Sequence, residues 1–185
     1  SWLTMQAGGE SDPAACAAND FALVELSPAD AVEVNPSAPF FGGPTGLDTT
    51  GLPDGAPVFG YGSPEPRTGA RAVTAPLRPK VGVGIGPGSH YAHDVQSAAP
   101  GVPGDSGAGY LTDRGAAVGL LTTLTTDAGL VSDGITDLAA ALAYANANGG
   151  LGEIQLALGT ERFTTEPPGV APTELAPPAG PPIGG

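Results

Sequence analysis

Gly101-Val-Pro-Gly-Asp-Ser-Gly-Ala-Gly-Tyr-Leu111 holds the chemistry of this chain and decides how the rest is read. Within it, Gly104-Asp105-Ser106-Gly107 sets a serine between glycines at the entrance to an apolar run of strand character. Glycine beside a nucleophilic serine lets the backbone turn sharply, so that N–H groups converge on one point instead of joining a ladder. The N–H groups of Gly104 and Ser106 are the pair that would form such an oxyanion hole.

Composition narrows the field. The chain has 185 residues, of which 41% are hydrophobic and 14% charged, with 30 glycines and 21 prolines. That balance favours short strands and turns over long helices. A net charge of −13 argues against a nucleic-acid partner and against an anionic membrane surface. No stretch is long and apolar enough for a spanning helix. Cys16 is the only cysteine, which leaves it a small buried hydrophobe or the partner of a residue in a preceding segment.

Strands are expected over 57–62, 81–85, 109–112 and 116–124, with Thr112-Asp113-Arg114-Gly115 as a hairpin turn. Residues 27–55, rich in proline, read as a connecting loop. Ile135, Leu138, Leu142 and Ala145 fall at helical spacing, with Ser132 or Asp133 as N-cap and Gly149-Gly150 as the stop. Residues 152–159 offer one more strand. From 164 onward, paired prolines with Gly and Ala and no apolar period read as a disordered tail.

Gly104-Asp105-Ser106-Gly107, followed by Tyr110-Leu111 and Ala117-Val118-Gly119-Leu120-Leu121, resembles the nucleophile segment of chymotrypsin/trypsin-like serine peptidases. The longer run from Ser89-His90 to Gly107 is similar to an actinobacterial branch of that family. Asp20-Phe21-Ala22-Leu23-Val24 resembles the family's triad aspartate at the head of an apolar strand. Asp20 lies 86 residues before Ser106, close to the roughly 93 of the family template.

The resemblance implies a mostly β, chymotrypsin-like double β-barrel. Residues 1–55 would be the remnant of an incomplete first barrel with the interdomain loop. Residues 56–163 would form the second barrel with its C-terminal helix, and 164–185 the Pro/Gly tail. It implies a serine endopeptidase working through an acyl-enzyme on a peptide or protein substrate, with Ser106 as nucleophile and Asp20 as the acid. Pro100, six residues before the nucleophile, and Gly101 would line the primary pocket. With no acid beside them in sequence, that pocket favours apolar or aromatic side chains. Thr122 and Thr123 resemble the edge that binds the substrate backbone. Asp105 would fix the loop through a charge partner, Arg114 or Arg71. The family also implies secretion, a monomer and no cofactor.

The base is the missing part. Serine needs a neighbouring base to become nucleophilic. The family order of His, Asp and Ser puts the histidine roughly 45 residues before the acid, ahead of residue 1. His90 and His93 follow Asp20 and read as histidines hydrogen-bonded in a strand or pocket wall. They lack a fourth ligand at zinc spacing, so no metal site is expected. The chain is therefore expected to lack its catalytic histidine and, with its first barrel cut short, to be poorly soluble or partly molten. The alternative is an inactive peptidase homologue kept as a binding or structural β-module.

Overall fold

The structure is a computed structural model that describes residues 2–63, 78–127, 130–150 and 152–166. Its centre is a closed barrel of six antiparallel strands. These are β2 (Pro57–Tyr61), β3 (Pro79–Ile85), β4 (Ala92–Ser97), β5 (Gly109–Thr112), β6 (Ala116–Asp127) and β7 (Leu130–Asp137). Around the ring they run β2-β3-β4-β7-β6-β5, and pairing of β6 with β7 closes the cylinder. A two-residue β1 (Gly46–Leu47) adds to β6 in parallel.

Two-residue alternation builds both faces of the wall. Val58, Val95, Tyr110, Val118, Leu121 and Ile135 point into the barrel with Leu52. Leu111 and Ala117, one residue off that register, point outward and pack with Leu138 and Leu142 of the C-terminal helix. A six-stranded barrel is narrow, so large residues need small ones facing them. A Cβ on Gly60 would press on the Tyr110 ring, one on Gly82 on Val95, and one on Gly119 on Ile135.

Three short helices precede the barrel: α1 (Trp2–Ala7), α2 (Pro13–Ala18) and α3 (Pro28–Ala31). The expected strand beginning at Asp20 is absent, and residues 19–27 carry no regular structure. A strand needs a neighbour to take its backbone groups, and among the described residues none runs beside this segment. Leu23, Val24 and Leu26 remain exposed there, Val24 at 82%.

All four strands expected within the barrel form, and the hairpin closes at Gly115, whose φ is +77°. The helical region starts later than expected. Residues 130–137 are β7, and the helix α4 (Leu138–Asn148) is capped by Asp137, which accepts from the Ala140 N–H at 2.8 Å. Ser132, Asp133 and Ile135 therefore belong to a strand, because β4 and β6 both take its backbone. Gly149 is the C-cap, as expected.

Residues 152–159 are not a strand. They lie against the 36–44 loop at irregular spacing, with Gly159 donating to Pro44 O and the Thr160 and Glu161 N–H groups to Ser37 Oγ. Most of the Pro/Gly tail lies outside the described residues, which end at 166. Among the described residues no helix is long and apolar enough to cross a membrane.

Ile135 is fully buried at the centre of the barrel. Ile135→Ala is expected to lower unfolding stability by about 3 kcal/mol in a urea titration.

Candidate functional site

Ser106 sits on the loop between β4 and β5 and is exposed. The glycines on either side turn the chain at positive φ, Gly104 at +97° and Gly107 at +85°, where a side chain would be strained. Gly107 N–H donates to Leu121 O at 2.7 Å, and Leu121 N–H to Ala108 O at 2.9 Å. These bonds seat the loop against β6 just past the end of its pairing with β5. Among the described residues, neither the Gly104 N–H, the Ser106 N–H nor the Ser106 hydroxyl has a protein partner.

Beneath the serine, Asp105 is buried and paired with Lys80 of β3, Nζ to Oδ2 2.8 Å, both side chains at 0% exposure. Lys80 stands where Arg114 was expected, for Arg114 sits in the β5–β6 turn; Arg71, the other expected partner, lies outside the described residues. An arginine from a surface turn cannot enter the barrel wall, whereas Lys80 starts inside it. Lys80 also donates to the carbonyls of Ala99 and Pro100, at 3.2 and 3.3 Å. Asp105 Oδ2 accepts from the Val102 N–H at 3.0 Å. Oδ1 lies against Gly62, where a Cβ would overlap it.

Gly101 completes the pattern. Its N–H donates at 2.7 Å to Asp133 Oδ1, and the Tyr110 hydroxyl donates at 2.8 Å to Oδ2. An acid does therefore reach the segment around Pro100, from β7 rather than from the neighbouring sequence. Burial raises the Asp133 pKa above the ordinary carboxylate value, while the Gly101 and Tyr110 bonds and the Lys80 charge oppose the shift. The Tyr110 hydroxyl is pushed far up by burial and by Asp133. Backbone groups of four successive residues, 99–102, are thus held by three buried charged side chains, those of Lys80, Asp133 and Asp105.

Thr122 and Thr123 lie where β6 leaves β5. Thr122 forms a bulge against β7, with its hydroxyl donating to Gly134 O at 3.2 Å. From 122 to 127, the side of β6 away from β7 has no strand beside it among the described residues. An open strand edge therefore begins next to Ser106.

Asp20 does not touch Ser106. It is exposed and lines a cleft of about 360 Å³ with Asn19, Phe21, Met5, the half-buried Cys16 and Tyr144. The segment leading to it is anchored on the same barrel, for Ala18 O accepts from the buried Thr136 hydroxyl at 2.7 Å. Thr136 pairs with Leu120 and Leu120 with Gly109, so the anchor lies two strand spacings, roughly 10 Å, from the start of β5.

Neither histidine belongs to this group. His93 is buried in β4, with Nε2 2.8 Å from Asp137 Oδ2, at the end of the strand away from the loop. His90 is exposed and stacks edge-on against Tyr91. Both line a separate cleft with Thr49, Thr50 and Ser89. No group of three or more metal-ligating side chains occurs among the described residues. Lys80, Asp133 and Tyr110 escaped the sequence reading. Lys80 was legible only as a single cation at the start of an apolar strand, and Asp133 was hidden by its reading as a helix cap.

Two outcomes follow. Lys80→Met leaves Asp105 buried without its counter-charge and should cost about 3–5 kcal/mol in chemical denaturation, with part of the loss recovered by adding Asp105→Asn. Asp133 has a higher pKa folded than unfolded, so its contribution to stability is full below the ordinary carboxylate pKa and declines as pH rises through the raised value. Asp133→Asn should remove that decline from a profile of stability against pH. No known family model matches the chain, and no curated protein is significantly similar to it.

Proposed function

We propose that this chain carries the nucleophile-bearing barrel of a chymotrypsin-like serine endopeptidase. The observation that carries the reading is the coincidence at Ser106. An exposed hydroxyl and two unengaged N–H groups, on a loop held from below by a buried ion pair, stand where a strand edge opens.

A peptide laid along 122–127 as an added strand would bring a carbonyl to Ser106. Oγ attacks the carbon while an imidazole takes its proton. The resulting oxyanion accepts hydrogen bonds from the N–H groups of Gly104 and Ser106. Collapse expels the amine, which takes the proton back, and water then cleaves the acyl-Ser106 ester. Asp20 orients the imidazole and stabilises its charge. The tie from Ala18 to Thr136 holds the segment leading to Asp20 on this barrel. That imidazole is neither His90 nor His93, the two histidines of these 185 residues. On this reading Pro100, Gly101, Thr122 and Thr123 would border the primary pocket, and the full burial of Asp133, with Leu121 and Leu124 beside Gly101, favours apolar side chains there.

A second reading, an inactive homologue kept as a binding module, is favoured by the exposed, unattached carboxylate of Asp20 and by the histidines lying elsewhere. Fluorophosphonate labelling of a chain extended upstream separates the two. The peptidase reading expects a label on Ser106, none in Ser106→Ala, and a rate about four orders of magnitude lower in Asp20→Asn. A folded, extended chain that takes no label supports the module. Cleavage by the extended chain should follow Leu or Phe, and preferential cleavage after Arg would overturn the apolar pocket.

A further inference from the structure

We propose that the cleft between the 49–53 loop, the 87–90 bend and the start of α4 is a second binding site, which takes a small primary amine in its protonated form through His93 Nδ1. The site is independent of Ser106 and of the peptidase reading.

The cleft has a volume of about 540 Å³, and His93, only 6% exposed, forms part of its wall. Nε2 of the ring lies 2.8 Å from Asp137 Oδ2. A carboxylate accepts, so in the neutral ring the proton sits on Nε2 and Nδ1 keeps a bare lone pair. Nδ1 is sealed from solvent and has no hydrogen-bond partner among the described residues. A buried acceptor left unmet is costly, and it marks the place of a missing donor. Two glycines at positive φ flank the ring: a Cβ on Gly51 would meet Cε1 at 3.4 Å, and one on Gly88 would meet Nδ1 at 2.6 Å. Gly88 thus lies over Nδ1, and its neighbours Pro87 and Ser89 both line the cleft. Exposed bonds hold this bend, from Gly86 N–H to Asp54 Oδ1 at 3.0 Å and from Ser89 Oγ to Ala92 O at 3.3 Å, so it can lift by the width of one donor. The bond made at Nδ1 offsets that movement.

Charge decides the class of ligand. Among the described residues that line the cleft there is no lysine or arginine. Asp137 stands behind His93, and Asp48 lies buried beside Thr50, whose N–H and hydroxyl both donate to its Oδ1 at 2.7 Å. The N-terminus of α4 would by itself draw an anion, but the Asp137 carboxylate already caps it through the Ala140 N–H. An anion is therefore repelled, and a cation that donates a hydrogen bond is favoured over a neutral donor. The body of the ligand meets Leu52, Pro53, Pro87, Ala139, Ala140 and Ala143, which suit an aliphatic or aromatic group.

Cyclohexylamine, cyclohexanol and cyclohexanecarboxylate share one body and differ in charge. Each is titrated into the 185-residue chain at about pH 8, above the ordinary imidazole range and below that of an alkylamine. Binding is read from the ring nitrogen resonances of His93 and from the amides of Gly51, Gly88 and Ala139. The amine should shift Nδ1 while Nε2 stays protonated, and should bind about tenfold tighter than the alcohol, with no binding of the carboxylate. An Nδ1 resonance that the amine leaves unmoved overturns the proposal, and so does an alcohol or carboxylate that binds as tightly as the amine. Asp137→Asn keeps an oxygen for the Ala140 N–H and offers an amide N–H to Nε2, which moves the ring proton to Nδ1. That variant should lose the amine's advantage over the alcohol, and a folded Asp137→Asn that retains it overturns the acceptor role of Nδ1. Ala143→Phe, at an exposed position of α4, narrows the cleft and should abolish the Nδ1 shift; an unchanged affinity would put the amine elsewhere and refute the site. Should neither variant fold, the titrations of the unaltered chain decide alone.

Discussion

The buried pair of Lys80 and Asp105 is the interaction on which the geometry around Ser106 depends. Two opposite charges at 0% exposure are costly to desolvate, and their attraction offsets that cost only with good geometry and further hydrogen bonds. The 2.8 Å contact and the groups of Ala99, Pro100 and Val102 supply much of this, while Asp105 Oδ1 is buried with no hydrogen-bond partner among the described residues. The pair thereby ties an irregular loop to a barrel strand. A loop without a ladder would otherwise leave its backbone groups to water and its conformation to thermal averaging.

β7 repeats this logic at two levels of the barrel. Asp133 accepts from Gly101 and Tyr110 and so fixes the loop below the serine. Asp137, one helical turn's worth of residues later, accepts from Ala140 and contacts His93, and so fixes the start of α4. Each acid is buried, and each takes one backbone N–H that the secondary structure leaves over and one side chain of another strand. A strand that looks polar in sequence is therefore an organising strand of the fold.

Part of this was legible beforehand. The strands at 57–61 and 109–112 show in their apolar, β-branched and aromatic content, and Gly115 marks the hairpin between β5 and β6. The glycines around Ser106 announced a sharp loop, and the loop has it at Gly104 and Gly107. Less legible were β4 and β7, whose inward positions include His93, Ser97 and Asp133. Their polar side chains break the apolar alternation that marks a half-buried strand. The apolar run after Asp20 misled in the opposite direction, since β propensity without a neighbouring strand does not make one.

By itself, the sequence determined the local matters: where glycine permits a tight turn, where alternation builds a wall, and which serine stands in a loop able to aim N–H groups. These depend on residues a few positions apart, and the chain carries them in plain order. Only the tertiary structure decided that Lys80 rather than an arginine meets Asp105, that Asp133 lies behind Gly101, and that the edge of β6 opens beside Ser106. The reason is barrel closure. It brings β3, β5 and β7 around one loop, and the identity of a buried charge's partner is fixed by which strands become neighbours rather than by distance along the chain.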